Sequence, residues 1–417
     1  MHPVVIDEPY EFVPPHHGTW WPRFLQMFLR RRLRLDFGIE QIQCVGLDRI
    51  RASVDAGHAV LLAPNHCRPS DPLVVNELCR QAGLQPQMMA SWHVFKTNAL
   101  RSFVLRRVGA FSVYREGTDR QALNAAVDIL TAAKRPLVIF PEGVITRTND
   151  RVLAMMEGLS FIARSAAKKR TKQDPASKVV VHTVAIRYKY HGDIQTELHD
   201  TLDDIEERLS WRPRRDENLR ERIYRVGGAL LWLKEIEFFG APQTGDVDSR
   251  LQKLIDQILV PMEREWLGSD ESTAENSSAD KTIVARVKAL RIAILPDMID
   301  GDLSEVEKNR RWDQLADMYL AQQLGHYPPD YIRGNPTAER MLETVEKFEE
   351  DLTDECRIYR PMSATVHVGE AIEVSPKRAR GQQDPVMLQV ERDMHQLLGL
   401  STPESDTTPT TTESALG

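Results

Sequence analysis

His58-Ala59-Val60-Leu61-Leu62-Ala63-Pro64-Asn65-His66-Cys67-Arg68-Pro69-Ser70-Asp71-Pro72 is the stretch on which the fold of this chain turns. The apolar run from His58 to Ala63 predicts a strand. Pro69 bends the path after it, and Pro72 suits the first turn of a helix that should run from about Asp71 to Gly83. A strand, a tight turn and a helix are the opening of an α/β unit. The same alternation extends outward. IQCVGL (42–47), QMMASW (87–92), AFSVY (110–114), PLVIF (136–140) and VVVHTVAIRY (179–188) read as strands. Helical periodicity fills the intervals near 93–107, 118–134 and 152–170. The predicted fold class is therefore α/β, with a central, mostly parallel sheet flanked by helices.

From 195 to 355 the strand signal fades and long segments with helical period take over, such as LRERIYRVGGALLWLKEIEFF and VDSRLQKLIDQILVPMEREWL. ATVHVGEAIEV (364–374) then reads as a strand again, and VMLQVERDMHQLLGL as a closing helix. The expected organisation is an arm and amphipathic interfacial helix over 1–40, an α/β core over 41–194, a large helical insertion over 195–355, a closing strand and helix over 356–400, and a disordered tail over 401–417. The polar stretch GSDESTAENSSAD inside the insertion reads as a loop. Residues 20–35, WWPRFLQMFLRRRLRL, place Trp21, Phe24, Leu25, Phe28 and Leu29 at spacings of three and four beside Arg30, Arg31, Arg32 and Arg34. That pattern fits a basic helix lying in a membrane interface, and fits equally a helix packed on the domain with its arginines exposed.

The chain has 417 residues, 41% hydrophobic and 28% charged, enough for a sizeable core and two to three domains. A formal net charge of -7 argues against nucleic acid as a partner. Cys44, Cys67, Cys79 and Cys356 form no Cys-x-x-Cys pair, so neither a disulfide framework nor a zinc knuckle is expected and a reducing cytoplasm is the default. The first residues lack the positive start and apolar run of a signal peptide, and no apolar stretch reaches the length of a spanning helix.

Three places carry chemistry. His66 and Asp71 follow the deciding strand. Imidazole is the side chain best suited to take a proton near neutral pH, and a carboxylate on one ring nitrogen fixes its tautomer and stabilises the imidazolium. No protein nucleophile accompanies them, so the nucleophile would be a substrate hydroxyl. Read alone, the same residues also describe an ordinary helix start, with Asp71 as cap and His66 a satisfied turn histidine. Phe140-Pro141-Glu142-Gly143 follows the strand PLVIF, and Arg115 follows AFSVY. Both fall on the carboxyl edge of the sheet, where open α/β sheets bind ligands. Arginine there offers a fork to phosphate.

Taken together, His-x4-Asp, a strand ending in arginine, and Phe-Pro-Glu-Gly occur in the order and at the distances that resemble the glycerolipid acyltransferase family, whose best-known members acylate lysophosphatidic acid. The resemblance covers about 41–190, and Val184-Ala185-Ile186 looks like the fourth block. It implies a glycerol-3-phosphate acyltransferase-like fold, His66 as general base with Asp71 as its partner, Arg115 on the acceptor phosphate, and Glu142 and Gly143 lining the acceptor pocket, with Asn65 in the same substrate-binding set. It implies an acyl-CoA or acyl-carrier-protein thioester as co-substrate, no cofactor and no metal. Membrane lipids would be partners, at the cytoplasmic face of a membrane. Two departures bear on the acceptor. The third block usually continues Thr-Arg, where this chain has Val144 and Ile145. Arg147 lies two residues late as a substitute phosphate ligand, and losing that contact would cost on the order of 1.5–3 kcal/mol. Thr183 stands where a proline is common. A non-phosphate alcohol or amine is the alternative acceptor, and a lipid-binding scaffold with a vestigial site the alternative class.

His182, His191 and His199 lack metal-ligand spacing, and the glycines at 109, 117 and 143 form no phosphate loop. The basic run Lys168, Lys169, Arg170, Lys172 reads as a solvated helix end. The Leu230-Leu231-Trp232 and Phe238-Phe239 cluster reads as helical core. Oxyanion donors are not identified beyond the backbone N–H groups near 66–71.

Overall fold

The computed structural model describes residues 5–268, 282–327, 331–377 and 384–401. Except for Gly268 and Ser401, the predicted polar loop at 268–280 and the predicted tail at 401–417 lie outside the described residues. Seven strands form one sheet: β1 (Ile39–Val45), β2 (Ala59–Pro64), β3 (Gln87–Ser91), β4 (Ala110–Val113), β5 (Leu137–Val138), β6 (Val179–Tyr190) and β7 (Met362–Glu373), in the spatial order β1-β7-β6-β2-β5-β3-β4. The five strands from β6 to β4 are mutually parallel. β7 pairs antiparallel with β6, and β1 runs parallel to β7. The strand that returns after the helical insertion thus reverses direction.

β2 sits in the middle of the sheet, with Leu62 opposite Val138 of β5 and His182 of β6. Every residue of β2 is buried, because helices cover both faces. Val60 and Leu62 point into one core with α4 (Asp71–Gln81). Ala59, Leu61 and Ala63 point into the other, with α7 (Arg120–Ala132) and α8 (Gly158–Gln173). This is why the strand reads as a continuous apolar run rather than an alternation. The strand predicted at PLVIF pairs over only two residues, after which the chain leaves the sheet and carries Phe140-Pro141-Glu142-Gly143 into an irregular stretch that lasts to α8. The helix predicted from 152 accordingly starts at Gly158.

The helical region divides in two. α9 (Ile194–Arg208), the first half of α10 (Leu219–Phe239) and α14 (Ala338–Thr353) add Leu198, Leu202, Ile223, Leu342 and Val345 to the core of the sheet domain. α11 (Val247–Leu267), α12 (Ile283–Asp300) and α13 (Glu305–Leu324) build a second core with Leu231, around Leu254, Ile258, Leu290, Ile294 and Met318. Phe238 and Phe239 pack against that second core, but Trp232 is half exposed. The closing helix α15 (Pro385–Leu398) packs on β6 and β7.

Residues 5–18 have no regular structure but are pinned. Ser112 N–H of β4 donates to Val13 O at 3.0 Å, and the Arg135 guanidinium donates to the carbonyls of His16 and Gly18, so the arm covers the sheet's edge strand. The single interfacial helix expected over 20–35 is two helices, α1 (Trp20–Gln26) and α2 (Leu29–Phe37). Leu29 and Leu33 turn inward to the core, whereas Trp20, Phe24, Met27 and Phe28 stay exposed. α2 is a packed helix, and α1 with the turn after it presents bare aromatic surface.

Candidate active site

β2 ends at Pro64, and Asn65 anchors the turn. Its side chain receives the Ile186 N–H at 2.7 Å and donates to Ile186 O at 3.0 Å, which fastens the end of β2 to β6. Asn65, expected in the substrate-binding set, is buried with both amide groups engaged, and it holds the turn that carries the histidine.

Asp71 occupies the first turn of α4, with Ser70 at the cap position. Its carboxylate does not cap the helix. Oδ2 accepts from His66 Nδ1 at 2.9 Å and from the Arg68 N–H at 2.8 Å, and Oδ1 accepts from the Tyr188 hydroxyl at 2.5 Å. Ser70 Oγ donates to the same hydroxyl. Asp71 is fully buried, and the His66 ring is 15% exposed and stacked on Phe140 with centroids 4.2 Å apart. With Nδ1–H given to the carboxylate, Nε2 is the basic nitrogen, and no described protein group hydrogen-bonds it.

Glu142 does not face outward as a lone carboxylate. Oε1 accepts the His66 N–H at 2.8 Å and Oε2 the Leu153 N–H at 2.9 Å, while Thr146 N–H returns to His66 O at 2.9 Å. Glu142 therefore clamps the histidine's backbone to the 140–153 loop. Burial pushes its carboxyl up to about 7, against the two N–H groups that favour the anion. Gly143 has φ +71, and a Cβ there would fall on the Met156 methyl. Its carbonyl accepts from the Arg115 guanidinium, so Arg115 is brought to the same loop. Burial lowers the Arg115 guanidinium from its ordinary value, with Glu116 acting in the opposite sense.

Arg147, the proposed stand-in for the missing block arginine, is elsewhere engaged. It pairs with Glu350 of α14 at 2.5 Å. Arg68 pairs with Glu346 of the same helix at 2.8 Å, and the Asn149 N–H donates to Glu343 at 3.1 Å. Arg147, expected to meet a substrate phosphate, is thus held in an ion pair with the insertion. Sequence reasoning missed this acidic helix, because nothing local links residues 343–350 to residues 68–149. It also missed Tyr188, although period two along β6 places Val184, Ile186 and Tyr188 on one face. Cys67 is buried, and burial together with Asp71 holds its thiol well above the ordinary value, so it is a protonated neighbour and not a nucleophile. His182 is held by Ser53 and Gly369, His191 by Ser363 and His199 by Arg222, in three separate places. Arg170, in the basic run, is buried and bound to the carbonyls of Thr131 and Gly57.

Of the candidate oxyanion donors, the N–H groups of His66, Arg68 and Asp71 are already engaged. A cleft of about 1150 Å³ opens between the loop and the insertion. Glu142, Leu153 and Met156 line one wall, and Val260, Val284 and Lys288 the other. Glu142, whose carboxylate accepts the His66 backbone N–H, is thus part of its lining.

The site thus sets an imidazole, with a buried carboxylate on its Nδ1, at the carboxyl edge of a mostly parallel sheet. The family model described as Acyltransferase matches residues 41–187, and this segment, about a third of the chain, belongs to that family. The match supports acyl transfer as the general activity. The comparison with curated proteins finds no match.

Proposed function

We propose that the protein moves a fatty acyl group from an acyl-CoA or acyl-carrier-protein thioester to the hydroxyl of a lysophospholipid or glycerol phosphate at a membrane surface. The observation that carries this reading is the 2.9 Å His66–Asp71 contact with Nε2 left without a protein partner. In the reaction, Nε2 takes the proton of the acceptor hydroxyl as its oxygen attacks the thioester carbonyl. The tetrahedral oxyanion collapses, the C–S bond breaks, and the imidazolium returns its proton to the leaving thiolate. Trp20, Phe24, Met27 and Phe28, exposed beside Arg23 and Arg31, supply an amphipathic surface for anionic lipid. Among the described residues no helix is long and apolar enough to cross a membrane, so any attachment through these helices is peripheral.

The experiment is His66→Ala assayed with radiolabelled long-chain acyl-CoA and lysophosphatidic acid. A loss of at least ~100-fold in rate with the fold intact is expected of a general base. Undiminished turnover rejects the role. A second reading, acylation of an unphosphorylated alcohol or amine, is favoured by the Arg147–Glu350 pair, which withdraws one cation from the acceptor. Turnover of unphosphorylated acceptors alone in the same assay would select it over the first.

A further inference from the structure

Among the described residues every other buried arginine of the insertion has a carboxylate. Arg222 pairs with Glu206, Arg250 with Glu235, and Arg286 with Glu263 and Asp256. Arg291 of α12 does not. It is 6% exposed, it makes no ion pair among the described residues, and its Nε has no hydrogen-bond partner. Burying an unpaired guanidinium is costly, and such groups persist where a ligand supplies the missing negative charge.

Its position says where that ligand would sit. Val284, Lys288 and Arg291 are spaced by four and three residues and so share one face of α12. Val284 and Lys288 line the cleft that ends at Glu142, and Arg291 continues their row by one turn. On the opposite wall of that cleft stands the Glu142–Gly143 loop, and Arg115, also without an ion pair among the described residues, donates its guanidinium to the carbonyl of Gly143. His93, two residues after β3, is acted on by the same charges. Its imidazole is pushed down to about 4 by burial and then by the charges of Arg115, Arg101 and Arg291, which act on this one ring from three elements. Arg115 also depresses Arg291, after burial. Glu116 is the carboxylate that acts on both arginines, and it accepts the Arg115 N–H. The balance of the cluster is positive.

We propose that Arg115 of the acyltransferase domain and Arg291 of the helical insertion form one phosphate-binding site, which holds a phosphate monoester of a substrate at the Glu142–Gly143 loop. The inference rests on the acyl-transfer reading for which substrate is held, but not for the binding itself. It gives the insertion a task that the Val144-Ile145 departure leaves open: it supplies a second cation in place of the absent block arginine. A phosphate monoester occurs both in a glycerol-phosphate acceptor and in coenzyme A, and the two sources are separable.

The test titrates the full chain, without turnover, with glycerol 3-phosphate and with coenzyme A by calorimetry at two salt concentrations. It compares wild type with Arg291→Gln and Arg291→Lys. One of the two probes should bind wild type in a salt-dependent manner and bind Arg291→Gln roughly 10- to 100-fold more weakly, the scale of one lost charge-assisted contact. Arg291→Lys, which keeps the charge, should recover part of the affinity and safeguards against a glutamine variant that fails to fold. Loss confined to glycerol 3-phosphate assigns the site to the acceptor, and loss confined to coenzyme A assigns it to the donor. Equal affinities of wild type and both variants for both probes, or no binding of either probe to wild type, overturn the site. Because no acyl transfer is measured, failure of the His66 role would leave this result standing.

Discussion

Replacing Asp71 with asparagine keeps the side chain's shape and removes its charge, which isolates what the buried acid contributes. An asparagine with its carbonyl at the Oδ2 position still accepts from His66 Nδ1 and from the Arg68 N–H, at 2.9 and 2.8 Å in the native site. Its amide then meets the Tyr188 hydroxyl, which can turn its proton toward Ser70 Oγ, its present partner. The fold should therefore persist. What disappears is the attraction between a carboxylate and the imidazolium that forms as the acceptor is deprotonated. At the 2.9 Å contact distance, with an effective dielectric of about 20–40, that attraction is on the order of 3–6 kcal/mol. At about 1.36 kcal/mol per tenfold in rate, kcat should fall roughly 10²- to 10⁴-fold. That attraction acts only once the proton has moved, so KM for either substrate should hardly change. Tyr188→Phe removes only a neutral donor to Oδ1, worth ~0.5–1.5 kcal/mol, and should slow the reaction about 2- to 12-fold. The assay is steady-state transfer from radiolabelled acyl-CoA to lysophosphatidic acid, with circular dichroism to check the fold. A loss of less than tenfold in folded Asp71→Asn, or a larger loss in Tyr188→Phe than in Asp71→Asn, refutes the account of the acid.

Two further predictions concern stability and membranes. Glu142 holds its proton up to about 7 in the folded state, against about 4.5 when exposed, so below pH 4.5 its stabilising proton uptake is complete, and it is lost as pH rises through 7. The difference amounts to on the order of 3 kcal/mol. Urea melts at pH 5 and pH 7.5 should show this decline in wild type and a shallower one in Glu142→Gln, and equal slopes refute it. Trp20→Ser with Phe24→Ser removes two exposed aromatic side chains, so partition into phosphatidylserine vesicles measured by sedimentation should fall roughly 30- to 100-fold with the melting point unchanged. Unchanged partition would place membrane binding on another surface.

The alternation of apolar runs and helical periods was enough to read the sheet domain, because each strand of a parallel sheet covered on both faces must itself be apolar. The direction of the closing strand was not legible. ATVHVGEAIEV has the composition of any strand, and whether β7 runs with or against β6 depends on where the 171 residues between Tyr190 and Met362 deliver the chain. The helix predicted at 20–35 shows the same limit. Arginines and aromatics specify an amphipathic helix, but only the surface available for packing decides that Leu29 and Leu33 turn inward while Phe24 and Phe28 do not.

The site divides along the same line. Sequence alone determined that His66, Asp71, Arg115 and Glu142 share one edge, because each follows a strand of a mostly parallel sheet and the spacing along the chain suffices for that. Tertiary structure alone decided the partners: Tyr188 on Asp71, Glu142 on the His66 backbone, Glu350 on Arg147, and Arg291 left without a carboxylate. Those contacts join residues separated by 76 to 203 positions, and the chain carries no local signal for them. Hydrogen bonds and ion pairs reach only a few ångströms, so whether a charged side chain is paired is decided by packing, and the linear order of residues does not record it.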